Sequence, residues 1–175
     1  YVITQLSDYY RTCLNRGRNT ITVEEELKNA AAYMNLQLEL HDNNFQFEKD
    51  IEEGLEEFVT INLMLQPLLE NAVKHGIIPA GRKCHLNIKT FLSGGDLIVE
   101  VSDDGAGIDA QKLGELNKSL SDGGGKQTRS IGLLNVNKRL KLLYGSDYGI
   151  TVDSRENVFT RVSIKFKNDL RGIGE

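Results

Sequence analysis

Asp103-Asp104-Gly105-Ala106-Gly107-Ile108 stands where the apolar alternation Leu97, Val99, Val101 runs out, so two carboxylates and two glycines meet at the end of a strand. Acidic residues among glycines fill many ordinary turns. The hexapeptide becomes decisive through its neighbours. Upstream lies Leu65-Gln66-Pro67-Leu68-Leu69-Glu70-Asn71-Ala72-Val73-Lys74-His75-Gly76, and downstream lies Ile131-Gly132-Leu133-Leu134-Asn135-Val136. Each of the three blocks falls at the edge of a predicted helix or strand, in a fixed order along one short stretch of chain.

Working outward, Leu86, Ile88 and Thr90 alternate with Asn87 and Lys89, and Ser93-Gly94-Gly95-Asp96 makes a turn into the strand that ends on Asp103. The pair reads as an antiparallel hairpin. From Val59 to His75 the pattern predicts one long apolar helix, with Pro67 marking either a kink or a helix start, since an interior proline costs about 3 kcal/mol. Thr22-Val23-Glu24-Glu25 is a capping-box signature, and the helix after it carries Leu27, Ala30 or Ala31, Met34 and Leu38 on one face. Phe45 and Phe47 alternate with polar residues as in a half-buried strand. Val2, Leu6, Tyr9 and Cys13 form a helical stripe stopped by Gly17. A short helix is predicted over Ile108 to Leu120, and Leu133, Val136, Leu140 and Leu143 predict another that Gly145 ends. Two closing strands follow, near Ile150–Val152 and at Val162, Ile164 and Phe166. The order predicts an α/β two-layer sandwich: a mixed, largely antiparallel sheet with helices on one face.

Composition excludes several classes. The 175 residues carry 39% hydrophobic and 26% charged residues, the balance of a globular domain. A formal net charge of −4 with no Lys/Arg run argues against nucleic acid as a partner. Cys13 and Cys84 lie far apart outside any CxxC or Cys/His cluster, which argues against zinc or a disulfide framework and fits a reducing cytoplasm. No stretch approaches the ~20 apolar residues of a membrane span. A start at Tyr1, with no Met and no signal-like segment, reads as a piece of something longer.

Together the three blocks resemble the N, G1 and G2 boxes of the Bergerat ATP-binding fold, shared by sensor histidine kinases, gyrase, Hsp90 and MutL. The resemblance implies ATP and Mg²⁺ as ligands. Asp103 would accept from the adenine exocyclic amine, with Gly105 and Gly107 letting the base approach the backbone and Ile108 beside them in the nucleotide site. Asn71 would offer a neutral oxygen to Mg²⁺, Lys74 would neutralise phosphate charge, and His75 would stand near the nucleotide. Glu70 has two readings: it orients the phosphoacceptor, or it pairs with Lys74 at i,i+4. Gly132 and Leu133 would open a helix toward the phosphates. Ser130 departs from the usual G-x-G by filling the first glycine position, where a positive φ is disfavoured. Gly123 to Gly125 with Lys126 and Arg129 form either a lid or a plain surface loop.

The segments Leu6–Arg11, Val23–Leu27 and Tyr33–Gln37, with the upstream block and Asn135-Val136-x-x-Arg139-Leu140, narrow the resemblance to LytS/YesM-type bacterial sensor histidine kinases. That branch implies a division into 1–17, the second helix of a dimerisation hairpin; 18–170, the ATP-binding catalytic domain; and a tail, 171–175. It implies a homodimer, a response regulator as partner, and the cytoplasmic portion of a membrane sensor kinase whose membrane contact lies in preceding segments. His41, His75 and His85 all lack the Pro-His-Phe setting of the phosphoacceptor, so the acceptor is expected outside this chain. Two other classes share the pocket: an ATPase of the gyrase, MutL or Hsp90 type, and a dimerisation or signalling module that has lost nucleotide binding.

Overall fold

The computed structural model describes residues 18–42, 44–122 and 131–167. The expectations for 1–17, for the 123–129 stretch, for Ser130 and for the 171–175 tail lie outside those residues. Strand β1 (Thr20–Thr22) runs directly into helix α1 (Val23–Leu40). The predicted capping box is the reason: Thr22 Oγ1 accepts from the Glu25 N–H at 3.1 Å, and the Glu25 carboxylate accepts from the Thr22 N–H at 3.1 Å. Leu27, Ala30 and Met34 are buried beneath α1, and Leu38 packs at the margin.

A five-stranded sheet has the order β2 (Phe45–Ile51), β4 (Cys84–Ser93), β5 (Asp96–Asp103), β7 (Phe159–Phe166), β6 (Gly149–Arg155). β2 is parallel to β4, and the other pairs are antiparallel, so the sheet is mixed. A parallel pair needs a long crossover, and the chain between β2 and β4 supplies it. Leu86, Ile88, Leu97, Val99, Val101, Val162, Ile164 and Phe166 point to one buried face. Each contributes about 1.5–3 kcal/mol relative to an exposed side chain. The opposite face is polar, laced by Lys89–Asp50 at 3.0 Å, Arg161–Glu100 at 3.4 Å and Lys165–Asp96 at 3.0 Å. One apolar face allows one layer of helices, and the two-layer α/β architecture follows. No described helix is long and apolar enough to cross a membrane.

The crossover corrects the reading of 59–75 as one helix. Val59–Ile61 is a strand, β3, antiparallel to β1 with Ile21 opposite Thr60. Its β-branched residues favour extended backbone, and β1 supplies the partner. Leu63 then turns with φ 59°, and helix α2 begins at Leu65. Pro67 therefore lies in a first turn, where the missing N–H is not needed, and it marks a start rather than a kink. α2 (Leu65–Asn71) passes without a break into a π-helix, Ala72–Ile77, and a last turn, Ile78–Ala80. Helices α3 (Ala110–Asp122) and α4 (Ile131–Tyr144) complete the layer. Leu133, Val136 and Leu140 of α4 are buried as expected, but Leu143 is 45% exposed. It lies near the end of α4, where Gly145 (φ 103°) turns the chain away.

Candidate nucleotide-binding site

A cleft of about 640 Å³ opens between α2 with its π-helix, the ends of β5 and β7, and the first turns of α3. That volume lies within the range of small-molecule pockets. Asn71 and His75 line it from the helix, Asp103, Gly107 and Ile108 from the predicted loop, and Leu133 from α4. Glu70, Lys74, Gly105 and Gly132 are not on its wall. Glu70 is exposed and accepts from Gln66 Nε2 at 2.7 Å. Lys74 is exposed, and no Glu70–Lys74 ion pair forms among the described residues. Gly132 is instead a packing residue: a Cβ there would lie 2.9 Å from Pro67 Cβ, so it lets α4 approach the first turn of α2.

The π-helix shapes the upper wall. Its hydrogen bonds run five residues back, as in Ile78 N–H to Val73 O. In an α-helix, residue i+5 stands roughly 140° away from residue i. The wider turn returns Gly76 to the side of Asn71, and both face the cleft. Gly76 O then accepts from Ala106 N–H at 2.9 Å, and Ala106 O accepts from Asn157 N–H at 2.6 Å. The loop is thus clamped between the helix and the β6–β7 turn. Three glycines make the clamp possible. A Cβ on Gly76 would stand 2.3 Å from Asp103 Oδ1, one on Gly105 would meet Gly76 O at 2.4 Å, and one on Gly107 (φ 66°) would meet Arg155 O at 2.2 Å.

The adjacent carboxylates have opposite fates. Asp103 is 5% exposed, and burial pushes its carboxyl up to about 6, against a Gly105 N–H donating to Oδ1 at 3.0 Å. Asp104 points away from the cleft. Burial acts upward on it too, but the His85 amide (2.7 Å), the His85 ring (3.1 Å) and the Arg82 charge hold it below the ordinary carboxylate range. Asp104 fastens the loop to β4, and Asp103 is the acid on the cleft wall. Thr160, its cross-strand partner on β7, shares the cleft, as do Asn157 of the β6–β7 turn and Lys112 of α3. Nothing in the local sequence marks these three. Only strand register and helix placement bring them to Asp103.

The three glycines pack the loop onto the protein's own backbone, and the buried Asp103 is left on the cleft wall beside Gly107 and Ile108. Such a wall fits a purine. Asn71 offers the cleft an amide oxygen, and among the described residues no three His, Cys, Asp or Glu side chains converge into a metal cage. That donor set suits a cation held mainly by phosphate and water. The class is therefore a nucleotide-binding α/β domain.

Residues 56–170 match Histidine kinase-, DNA gyrase B-, and HSP90-like ATPase, and the chain belongs to that family. It is 29% identical over 163 residues to the sensor histidine kinase YesM of Bacillus subtilis, covering 93% of this chain and 26% of that protein. It is 34% identical over 160 residues to the sensor protein LytS of Streptococcus mutans, covering 89% of this chain and 27% of that protein. The chain thus spans about a quarter of the length of these relatives. Among solved structures, the catalytic domain of histidine kinase ThkA superposes with a TM-score of 0.57 at 18% identity, over 87% of this chain and 97% of that one. Acinetobacter baumannii histidine kinase AdeS gives 0.59 at 17% identity, over 96% and 79%. At such identity these two speak for the fold.

Proposed function

We propose that this chain is the ATP-binding catalytic part of a sensor histidine kinase, delivering the ATP γ-phosphoryl to a histidine outside it and thence to a response regulator. The observation that carries the reading is Asp103, buried and raised in pKa at the floor of a nucleotide-sized cleft that Asn71 and His75 also line. Asp103 accepts from the adenine amine, with Gly107 and Ile108 beside it on the cleft wall and Gly105 seating the loop on Gly76. Asn71 holds the metal end, with His75 beside it. Lys74, outside the wall, reaches phosphate charge from the rim. Glu70, exposed and not paired with Lys74, is free to orient the acceptor. Leu133 closes the apolar wall, and Gly132 seats its helix.

In the transfer, the bond from the γ-phosphorus to the β–γ bridging oxygen breaks, a bond to the acceptor imidazole nitrogen forms, and ADP leaves. This chain's residues act mainly by positioning the nucleotide and excluding water. A bound Mg²⁺ supplies charge neutralisation across the phosphates. The intact protein would be a homodimer anchored through other segments in a membrane, with this part on the cytoplasmic side.

Titration calorimetry with ATP and ADP, with and without Mg²⁺, tests the pocket. Micromolar binding that Asp103→Asn abolishes is the expected result. Adding a separately produced dimerisation hairpin that bears the acceptor histidine then gives phosphohistidine on that hairpin. A folded chain that binds no nucleotide overturns the kinase reading in favour of a signalling module. Hydrolysis without transfer favours an ATPase.

A further inference from the structure

Among the described residues the buried acids are Asp103 and Glu26, and the proposed chemistry uses only the first. Glu26 is 2% exposed, yet its neighbours on α1 face outward: Glu24 pairs with Lys28 at 2.8 Å, and Glu25 closes the capping box. Glu26 turns inward and spends both oxygens on backbone amides of a distant segment. Oε1 accepts from Leu65 N–H at 2.8 Å, and Oε2 accepts from Leu63 N–H at 3.1 Å. These amides belong to the start of α2, the helix that six residues on presents Asn71.

α2 has no cap of its own. Met64 occupies the cap position with no side-chain bond to the helix, and Leu63 before it is held at φ 59°, an uncommon conformation for a residue with a side chain. A carboxylate from another helix does what a local Ser or Asp would ordinarily do, and the helix dipole favours it there. Burial pushes the Glu26 carboxyl up, opposed by the amides of Leu65, Leu63 and Met64 and by the Arg139 charge on α4. Arg139 also donates to Asn62 O at 3.1 Å, tying α4 to the same junction. The start of α2 is thus fixed by α1 and α4 rather than by its own sequence.

We infer that Glu26 is a positioning residue for the metal end of the nucleotide site, fixing the seat of α2 and through it the place of Asn71 in the cleft. The inference rests on the reading of Asn71 as the metal-side ligand. A role in stability alone would weaken binding at both ends of the nucleotide equally. A positioning role weakens only the end that α2 carries, because Asp103 sits on β5.

Calorimetry of ADP binding in Mg²⁺ and in EDTA separates the two, run on wild type, Glu26→Gln, Glu26→Asp and Asn71→Ala, with melting curves for each. Asn71→Ala is expected to remove the gain in affinity that Mg²⁺ gives. Glu26→Gln is expected to cut that gain by about tenfold, as loss of a group that orients a metal ligand does, and to leave binding in EDTA unchanged. Glu26→Asp, which keeps the charge and shortens its reach, falls between. A full gain in Glu26→Gln beside a lost gain in Asn71→Ala overturns the inference, as does a parallel loss with and without Mg²⁺. A full gain in Asn71→Ala overturns the reading of Asn71 itself. Should Glu26→Gln not melt cooperatively, Glu26→Asp decides by the same readout, and a full gain there overturns the inference.

Discussion

Asp103 is held where its charge is costly and where a purine amine would relieve the cost. Its pKa of about 6, against an ordinary 3.8, means that the native state keeps a proton the unfolded chain has already released. The stability from this group is therefore complete below about pH 4 and is lost as pH rises through 6. Asp103→Asn removes the buried charge and keeps an oxygen for the Gly105 amide. Its stability relative to wild type should rise by on the order of 3 kcal/mol between pH 4 and pH 8, measured by urea unfolding. A flat difference would show that Asp103 is not desolvated. The same ionisation sets a pH limit on binding. A carboxylate must be charged to accept best, so ATP affinity should be level above pH 7 and decline by about tenfold per unit well below 6. Calorimetry across that range checks it.

At the scale of elements, the meeting of the π-helix with the 103–108 loop leaves no room for a methyl group. Gly76→Ala places a Cβ 2.3 Å from Asp103 Oδ1, with the partner buried and clamped. The loop must move, at a cost of about 1–3 kcal/mol, and nucleotide affinity should fall with it. Gly114 is the control. It lies within α3, and a Cβ there meets nothing within 4 Å. Gly114→Ala should stabilise by about 0.5–1 kcal/mol and leave affinity unchanged, because alanine only removes unfolded-state freedom. Unfolding curves and calorimetry on the two variants give opposite signs if the clamp is as described. Equal effects would mean that the loop gives way easily.

Over the whole molecule, a buried amide helps to join the helices beyond the cleft to the sheet. Asn137 of α4 donates to Leu120 O at 2.8 Å and accepts from Ile150 N–H at 2.8 Å, bridging α3, α4 and β6. Gly149 beside it has φ 139°, and a Cβ there would lie 2.4 Å from Asn137 Oδ1. Asn137→Leu fills the same space and leaves the buried Ile150 amide without a partner, while Leu120 O keeps the Lys141 ammonium at 2.7 Å. A loss of about 1–3 kcal/mol is expected in thermal unfolding. A loss below about 1 kcal/mol would mean that water replaces the amide.

The sequence by itself determined the periodic elements and the acid at the centre of the site. Strand alternation placed Asp103 at a strand end, Thr22 and Glu25 closed the cap they spelled out, and one apolar face per strand required two layers. These are properties of neighbours along the chain, where spacing maps directly onto a face. Tertiary structure decided what depends on distant partners. Val59–Ile61 became a strand because β1 lies beside it, although the apolar run reads as helix. The π-helix, which no local propensity marks, brought Gly76 round to Asn71 and set the loop on it. Alternation separates Asp103 from Asp104, but the burial of the first and the His85 and Arg82 partners of the second come from distant segments. Glu26 reads as one more charge on a helix face until α2 arrives with amides that need a cap.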